Sequence, residues 1–406
     1  MGCDHLNLLI LEEALQFGNG HWPVYIGDIA SACRHAGDHV DVLAHCDANF
    51  GLVEQLQATP WFSRNCWADP TSQGGLGGLK HAVHYGRDLN RWLRLSPEPD
   101  WLLALTMRLQ HLLAFALLCR RPFHRGHQRY LLLFVQGFGE YQGPQAAVTF
   151  PESPSTRLAR WCFRRLAPAV ISGRVVLAAE TRAMQAELQH FSQLPVRLFP
   201  HPVVAAPSSL PASPGVFTPA DQPITITCPG FARYEKGNDL LQGACQLLFA
   251  SEARSNLQVI CQWPDPFALP DGSLASPDPE LVADGRYLLI NQSLDRSAYA
   301  DLLGRSQLIV LPYRRSSYHN RVSRVAIEAA IHGIPLVYMG GTWIEEVVEL
   351  TGAGVAITAE TPEATVEALR DALARLPELR ERAIQACTLI REHYSAQRFR
   401  QLLLAC

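Results

Sequence analysis

Short apolar runs alternate with longer segments of helical period along most of the chain, which predicts parallel α/β domains. Leu6–Leu11 reads as a strand, followed by a loop with Gly18, Gly20 and His21 and a helix from Val24 to about Ala36. Gly37 stops that helix, because glycine accepts the left-handed backbone of a helix end, and Val40–Ala44 is the next strand. Tyr130–Val135 is a third strand, with the loop Gln136-Gly137-Phe138-Gly139-Glu140 at its carboxyl end. Val175–Ala179 is a fourth and leads into a helix over Thr181–Phe191, and Val196–Phe199 runs into Pro200-His201-Pro202. Residues 48–100, rich in Gly, Trp and Pro, show little period. Trp101–Cys119 is long and apolar, but Arg108, Gln110 and His111 interrupt it, so it reads as a buried or amphipathic helix and not a membrane span.

Residues 205–222 are a Pro/Ser/Ala stretch without period, as an interdomain linker would be. The alternation then restarts. Strands are expected at Ile224–Cys228, Leu257–Cys261, Tyr287–Ile290, Leu308–Leu311, Pro335–Tyr338 and Gly354–Ile357. Helices are expected at Asn238–Ala250, Ser297–Leu303, Ser323–His332, after Thr342, and at about 363–376 and 378–403. The expected domains are therefore 1–204 and 223–385, with a closing helix over 386–406.

With 406 residues the chain is long enough for two cores, and its 48% apolar and 18% charged residues are an ordinary globular balance. The net charge of −3 argues against a nucleic-acid binder, whose footprint is a basic domain. The 11 cysteines are scattered with no Cys-x-x-Cys pair, as suits reduced thiols. Asp4, Glu12 and Glu13 flank the first apolar run and no basic region precedes it, so no secretory signal is expected, and the expected location is the cytoplasm.

Three constellations would stand at carboxyl ends of strands, where open parallel sheets bind ligands. Gly230-Phe231-Ala232-Arg233-Tyr234-Glu235-Lys236-Gly237 lies between a strand and a helix. Its glycines permit a sharp turn, and Arg233 and Lys236 can converge on an anion at the helix start, two charges suiting a diphosphate. A solvated surface turn is the equal alternative for this motif alone. In Ser323-Arg324-Val325-Ala326-Ile327-Glu328, Ser323 fits an N-cap whose free amides form a second anion site. Glu328, about one turn in, suits two ribose hydroxyls; alone it would more often be a solvent-facing carboxylate. Gly20 and His21 after the first strand are the third constellation, a donor contact or an ordinary turn.

In this order the motifs resemble the retaining glycosyltransferases of family 4 and their relatives. Gly230, Arg233, Lys236 and Gly237 look like that family's diphosphate motif, and Ser323 to Ala329 with Gly333-Ile334-Pro335 looks like its Ser-Gly-Val-x-x-Glu-Ala…Gly-x-Pro signature. Gly341-Thr342-Trp343, Tyr25, Glu180-Thr181 and Pro200-His201-Pro202-Val203 are similar to segments of such enzymes. Two departures stand out: Asn320 where many members have Glu, and Arg324 where Gly is usual. The resemblance implies the GT-B architecture, two Rossmann-like domains with parallel sheets facing a cleft, the N-terminal one on the acceptor side and the C-terminal one binding the nucleotide sugar. It implies a retaining hexosyltransferase-like enzyme, moving a sugar from a nucleotide diphosphate to a glycan, a lipid-linked or a small-molecule acceptor. Arg233 and Lys236 would neutralise the leaving diphosphate. Glu328 would bind ribose, Ser323, Arg324 and Val325 the phosphates, and no metal or other cofactor would be needed. Gln136 is the nearest candidate on the acceptor side. A non-catalytic sugar-nucleotide-binding relative and an epimerase on the same fold are the alternatives. Arg157, Arg160, Trp161, Phe163, Arg164 and Arg165 form a basic aromatic segment that fits either contact with the inner face of an anionic membrane or inward packing.

Overall fold

Seven short runs of the first half become strands, each followed by a helix or a turn that carries the chain back along the sheet. In order they are β1 (Asn7–Leu11), α1 (Trp22–His35), β2 (His39–His45), α2 (Phe50–Leu56), β3 (Ala58–Phe62), α3 (Gly75–Leu95) and β4 (Trp101–Met107). Then come α4 (Leu109–Leu118), β5 (Arg129–Phe134), α5 (Pro154–Ile171), β6 (Val175–Ala179), α6 (Arg182–Ser192) and β7 (Val196–Leu198). This is a computed structural model, and it describes residues 5–17, 22–69, 75–96, 98–118, 128–143, 148–203, 223–251 and 256–406. The proposed linker 205–222 lies outside the described residues. The chain divides into two compact units, residues 1–140, 147–202 and 394–406 in one and 141–146 and 203–393 in the other.

The first unit's sheet is parallel, in the order β3-β2-β1-β4-β5-β6-β7, so the strand order reverses between β1 and β4. β4 sits between β1 and β5 and buries all seven of its residues. That corrects the reading of Trp101–Cys119 as one helix. A central parallel strand is apolar on both faces and so loses its alternation, and the run is really β4 followed by α4. One face packs Phe62, Tyr85, Phe115, Phe134 and Phe163 under α3 to α6. The other packs Tyr25, Ile29, Leu52 and Phe199 under α1 and α2. Side-chain caps set the helix starts: Ser153 forms a capping box with Thr156, and Thr181 accepts from the Met184 amide.

The second unit runs β8 (Ile224–Cys228), α7 (Asn238–Ser251), β9 (Leu257–Gln262), a small antiparallel hairpin β10 (Phe267–Ala268) and β11 (Leu274–Ala275), α8 (Pro279–Ala283) and β12 (Tyr287–Ile290). It continues with α9 (Arg296–Arg305), β13 (Leu308–Leu311), α10 (Arg315–Tyr318), α11 (Arg324–Ile331), β14 (Leu336–Met339), α12 (Ile344–Thr351), β15 (Gly354–Ile357), α13 (Pro362–Ala374) and α14 (Leu376–His393). Its six-stranded parallel sheet has the order β12-β9-β8-β13-β14-β15, reversing between β8 and β13. α7 and α13 pack together over a core that includes Val259, Val310 and Leu369, while α14 packs on α11 and α12.

The helix expected over 378–403 is two. It breaks at Tyr394-Ser395, where the Ser395 hydroxyl caps α15 (Ala396–Leu404) by accepting from the Arg398 amide. α15 belongs to the first unit and packs on α1, with Phe399 edge-on to Phe199. Arg400 clamps Asp38 with two bonds, Nε to Oδ2 at 2.6 Å and Nη2 to Oδ1 at 2.7 Å, and the Asp38 side chain is fully buried. Arg400→Ala leaves that carboxylate buried without its cation, so urea melts should show a loss of about 3–5 kcal/mol. An Arg400→Met, Asp38→Asn pair should recover much of it, and a single-variant loss below ~1 kcal/mol would mean the pair is as weak as a surface bridge.

Candidate functional site

The reversal of strand order between β8 and β13 opens a crevice at the carboxyl ends of those strands. Gly230, just past β8, has φ +90°, and a Cβ there would lie 2.6 Å from Lys236 Nζ. The absent side chain is what lets the ammonium rest against the backbone. Gly237 has φ +65°, and a Cβ there would fall 2.0 Å from the Pro312 carbonyl oxygen, so glycine also brings the start of α7 against the end of β13. Between the two, Arg233 is extended, and its amide donates to Asn238 Oδ1 at 3.0 Å. Asn238 is fully buried and donates in turn to Cys261 Sγ at 3.3 Å, which fixes the loop to β9.

Lys236 is half-buried, and that burial is the main cause that lowers its pKa; Arg233 and Arg321 push the same way, against Cys228 and Glu235. Among the described residues its ammonium makes no hydrogen bond or ion pair. The Arg233 guanidinium is 3.6 Å from Glu235 and largely exposed. Arg321 lies over the Tyr318 ring, 5.2 Å from its centroid, and Tyr318 packs on Tyr313 at 4.3 Å. Three cations thus surround one place, and the carboxylate near it, Glu235, is paired with Arg233.

Ser323 caps α11, its hydroxyl accepting from the Ala326 amide at 3.3 Å. That bond leaves the Val325 amide, at the first turn, without an acceptor among the described residues. Arg324 does not point ahead of the helix. Its Nε donates back along the same helix to Glu328 Oε1 at 2.8 Å, and Tyr299 OH donates to Glu328 Oε2 at 2.7 Å. Glu328 is therefore held in place from both sides, while each oxygen keeps a lone pair for a hydroxyl.

The structure brings Gly230, Arg233, Lys236, Gly237, Ser323, Arg324, Val325 and Glu328 into one unit, around the strand-order reversal. Arg321 is the neighbour that sequence reasoning missed. Its signal was position, since a cation two residues before an N-cap faces the same helix end. Arg314 looks similar in sequence but is buried and paired with Asp239 and, at 3.4 Å, Glu360. Gly341-Thr342-Trp343 fastens loops: the Gly341 amide donates to Glu345, Thr342 Oγ1 to the Met339 carbonyl, and the Trp343 amide to the Tyr318 carbonyl.

Gly20 and His21 lie outside the described residues. Gln136 is exposed at the carboxyl end of β5 in the first unit. The loop behind it wraps a carboxylate of its own, Glu187 Oε1 accepting from the Phe138 and Gly139 amides at 2.8 and 2.9 Å. In the basic segment of α5, Phe163 is in the core, Arg160 pairs with Glu152 and Arg165 donates to the Ala116 carbonyl.

The first unit carries buried titratable groups at its own strand-order reversal. Glu12 follows β1, and burial pushes its carboxyl up to about 7 against the pull of the Thr106 hydroxyl and the Ala14 amide. Burial acts on Glu13 in the same direction, but His111 and His81 outweigh it and hold Glu13 well below the usual carboxylate range. His81 Nε2 is 2.9 Å from Glu13 Oε2 and His111 Nε2 3.2 Å from Oε1. Nearby, His201 Nδ1 meets Glu180 at 2.7 Å and stacks on Tyr25 at 4.6 Å.

Glu13, Cys66, His81 and His111 each offer a donor atom within 4.8 Å of the others, a set that by type would suit zinc. The hydrogen bonds fit a metal poorly. The Arg108 amide donates to His111 Nδ1, so the ring proton sits on Nε2, where a metal would bind. His81 Nδ1 has no acceptor behind it among the described residues. The quartet is a carboxylate holding two imidazoles.

No family model matches the chain, and no curated protein does. Solved structures do, at low identity. A Rickettsia africae glycosyltransferase is 12% identical with a TM-score of 0.63, over 99% of this chain and 98% of that one. Anabaena HepE in complex with UDP and glucose is 14% identical with a TM-score of 0.59, over 99% of each chain. A Listeria monocytogenes protein put forward as a UDP-N-acetylglucosamine 2-epimerase is 13% identical with a TM-score of 0.57, over 99% of this chain and 95% of that one. The fold is therefore the GT-B type, shared by glycosyltransferases and by sugar-nucleotide epimerases.

Proposed function

We propose that the protein is a retaining glycosyltransferase that takes its sugar from a nucleotide diphosphate held in the second unit. The observation that supports this most is Lys236, a half-buried ammonium beside two arginines that makes no hydrogen bond or ion pair among the described residues. A desolvated charge of that kind costs stability unless an anion completes it. On this reading Lys236, Arg233 and Arg321 receive the diphosphate, the Val325 amide adds a phosphate contact, and Glu328 accepts the ribose hydroxyls. The anomeric carbon–oxygen bond to the diphosphate breaks. The acceptor hydroxyl attacks from the same face, and its proton passes to the departing phosphate oxygen. Side-chain cations do the neutralising, so activity should survive chelating agents.

Glu328 offers a specific check. Glu328→Gln should reduce the preference for a ribonucleotide over its 2′-deoxy form by about tenfold, because a buried hydroxyl contact is worth ~1.4 kcal/mol. Thermal shifts with UDP-, GDP-, ADP- and CDP-sugars would measure it, and equal discrimination in the variant would remove the ribose role. Epimerisation is the second reading, favoured by the protonatable Glu12 and the Glu180–His201 pair in the first unit. It predicts conversion of the sugar nucleotide with no acceptor present, which NMR of the mixture would reveal.

A further inference from the structure

We infer that the α3–α4 face of the first unit docks on the surface of an anionic lipid bilayer. This does not rest on the sugar-transfer reading. Five of the sixteen exposed large apolar side chains among the described residues fall on these two helices: Leu76, Leu79, Val83, Leu95 and Leu117. Leu76 and Leu95 are 77% and 70% exposed, far more than a packed helix needs to leave open. On the same outward face of α3 stand Lys80, Arg87, Arg91 and Arg94, all exposed. The one carboxylate on α3, Asp88, accepts from the Ser63 amide and hydroxyl at 3.1 and 2.7 Å through Oδ2, and its Oδ1 lies 3.8 Å from Arg87 Nε, which leaves Lys80, Arg91 and Arg94 in excess on this helix. α4 has no charged residue. In a chain of net charge −3, this face is a local excess of positive charge among apolar side chains.

The charge pattern selects the partner. A second copy meeting this face by two-fold symmetry would bring arginines against arginines. A bilayer of anionic lipids satisfies both halves of the face, taking the leucines into the acyl boundary and the cations to the phosphates. The groove between the helices, about 630 Å³, is lined by Val83, Leu95, Leu117 and Leu118 and edged by Arg87 and Arg91. Arg87 also borders a second, polar opening of about 500 Å³, whose lining includes His84 and an Arg64–Asp69 pair at 3.7 Å. On α5 Phe163 is buried, while Arg157, Trp161 and Arg164 stay exposed.

The test is co-sedimentation of the full chain with vesicles of phosphatidylcholine alone and of phosphatidylcholine mixed with phosphatidylglycerol. Binding is expected to the mixed vesicles and to fall steeply with added salt. The triple variant Arg87→Gln/Arg91→Gln/Arg94→Gln should bind about a hundredfold more weakly, at about 1 kcal/mol per cation. Leu79→Ser with Val83→Ser should weaken it at least about tenfold without changing the melting curve, since both sites are exposed. Binding equally to neutral vesicles, binding to neither, or full binding by the triple variant would overturn the proposal. So would a dimer, seen by equilibrium sedimentation, that the serine variants abolish.

Discussion

Lys236→Ala is expected to lower kcat/KM for sugar transfer by about two to three orders of magnitude, the usual cost of removing one preorganised group from developing charge. Affinity for the free nucleoside diphosphate should fall less, by about ten- to a hundredfold, the worth of one hydrogen bond to a charged partner. The difference between those losses follows from chemistry, because the diphosphate gains charge as the bond to the sugar breaks and the ammonium matters most there. Stability should move the other way. Lys236 has no partner in the described fold to lose, and burial is already the main cause depressing its pKa, so the unliganded variant should melt at the same temperature or higher. Lys236→Arg should not rescue, since a planar fork cannot lie where the ammonium lies, against the bare backbone of Gly230. Titration calorimetry with the free diphosphates decides the matter. A Lys236→Ala variant that binds within about threefold of wild type would place the anion elsewhere.

Glu12→Gln should stabilise the first unit by about 3 kcal/mol at pH 8 and leave it unchanged near pH 4. The carboxyl is 1% exposed and its pKa is raised from 4.5 to about 7. In the unfolded chain Glu12 ionises near its ordinary value, whereas the fold keeps its proton until the pH passes about 7. Between those limits the folded state binds the extra proton, so stability falls as pH rises and levels off above 7. Glutamine carries no such slope. Subtracting the variant's stability curve from that of the wild type isolates this group from Glu13, whose lowered pKa works in the opposite sense. A flat difference from pH 4 to pH 8 would show that Glu12 ionises as if exposed. The same titration lies at the first sheet's strand-order reversal, so activity that changes near pH 7 and loses that change in Glu12→Gln would tie the group to turnover.

Most strands were legible because parallel strands are short, apolar and bounded by turns, and Val175–Ala179, Ile224–Cys228 and Leu308–Leu311 occur at the residues expected. The second unit's candidate site was legible for a different reason. Gly230 and Gly237 are required by contacts with Lys236 and Pro312, so the spacing of glycine and cation is itself the geometry. Trp101–Met107 misled because a strand buried on both faces has no period to read. The break before Ser395 was hidden because the residues on either side of it favour helix. The pairing of Arg324 with Glu328 follows from their spacing of four, yet only the structure shows that Tyr299, from a distant helix, completes the clamp. The Glu13 cluster draws on residues 13, 66, 81 and 111, which no local pattern could have joined.

The return of α15 to the first unit also orders events during synthesis. Most of that unit leaves the ribosome before residue 203, but Asp38 must wait for Arg400, and the Phe199 ring for Phe399, until α15 is made. A nascent chain can therefore complete its second unit while the first still lacks one layer and holds an unpaired acid in its core. The emergence of α15, and not the translation of residue 202, is the moment at which the first unit can be finished. A protein that lacks α15 would carry its defect in the unit that was translated first.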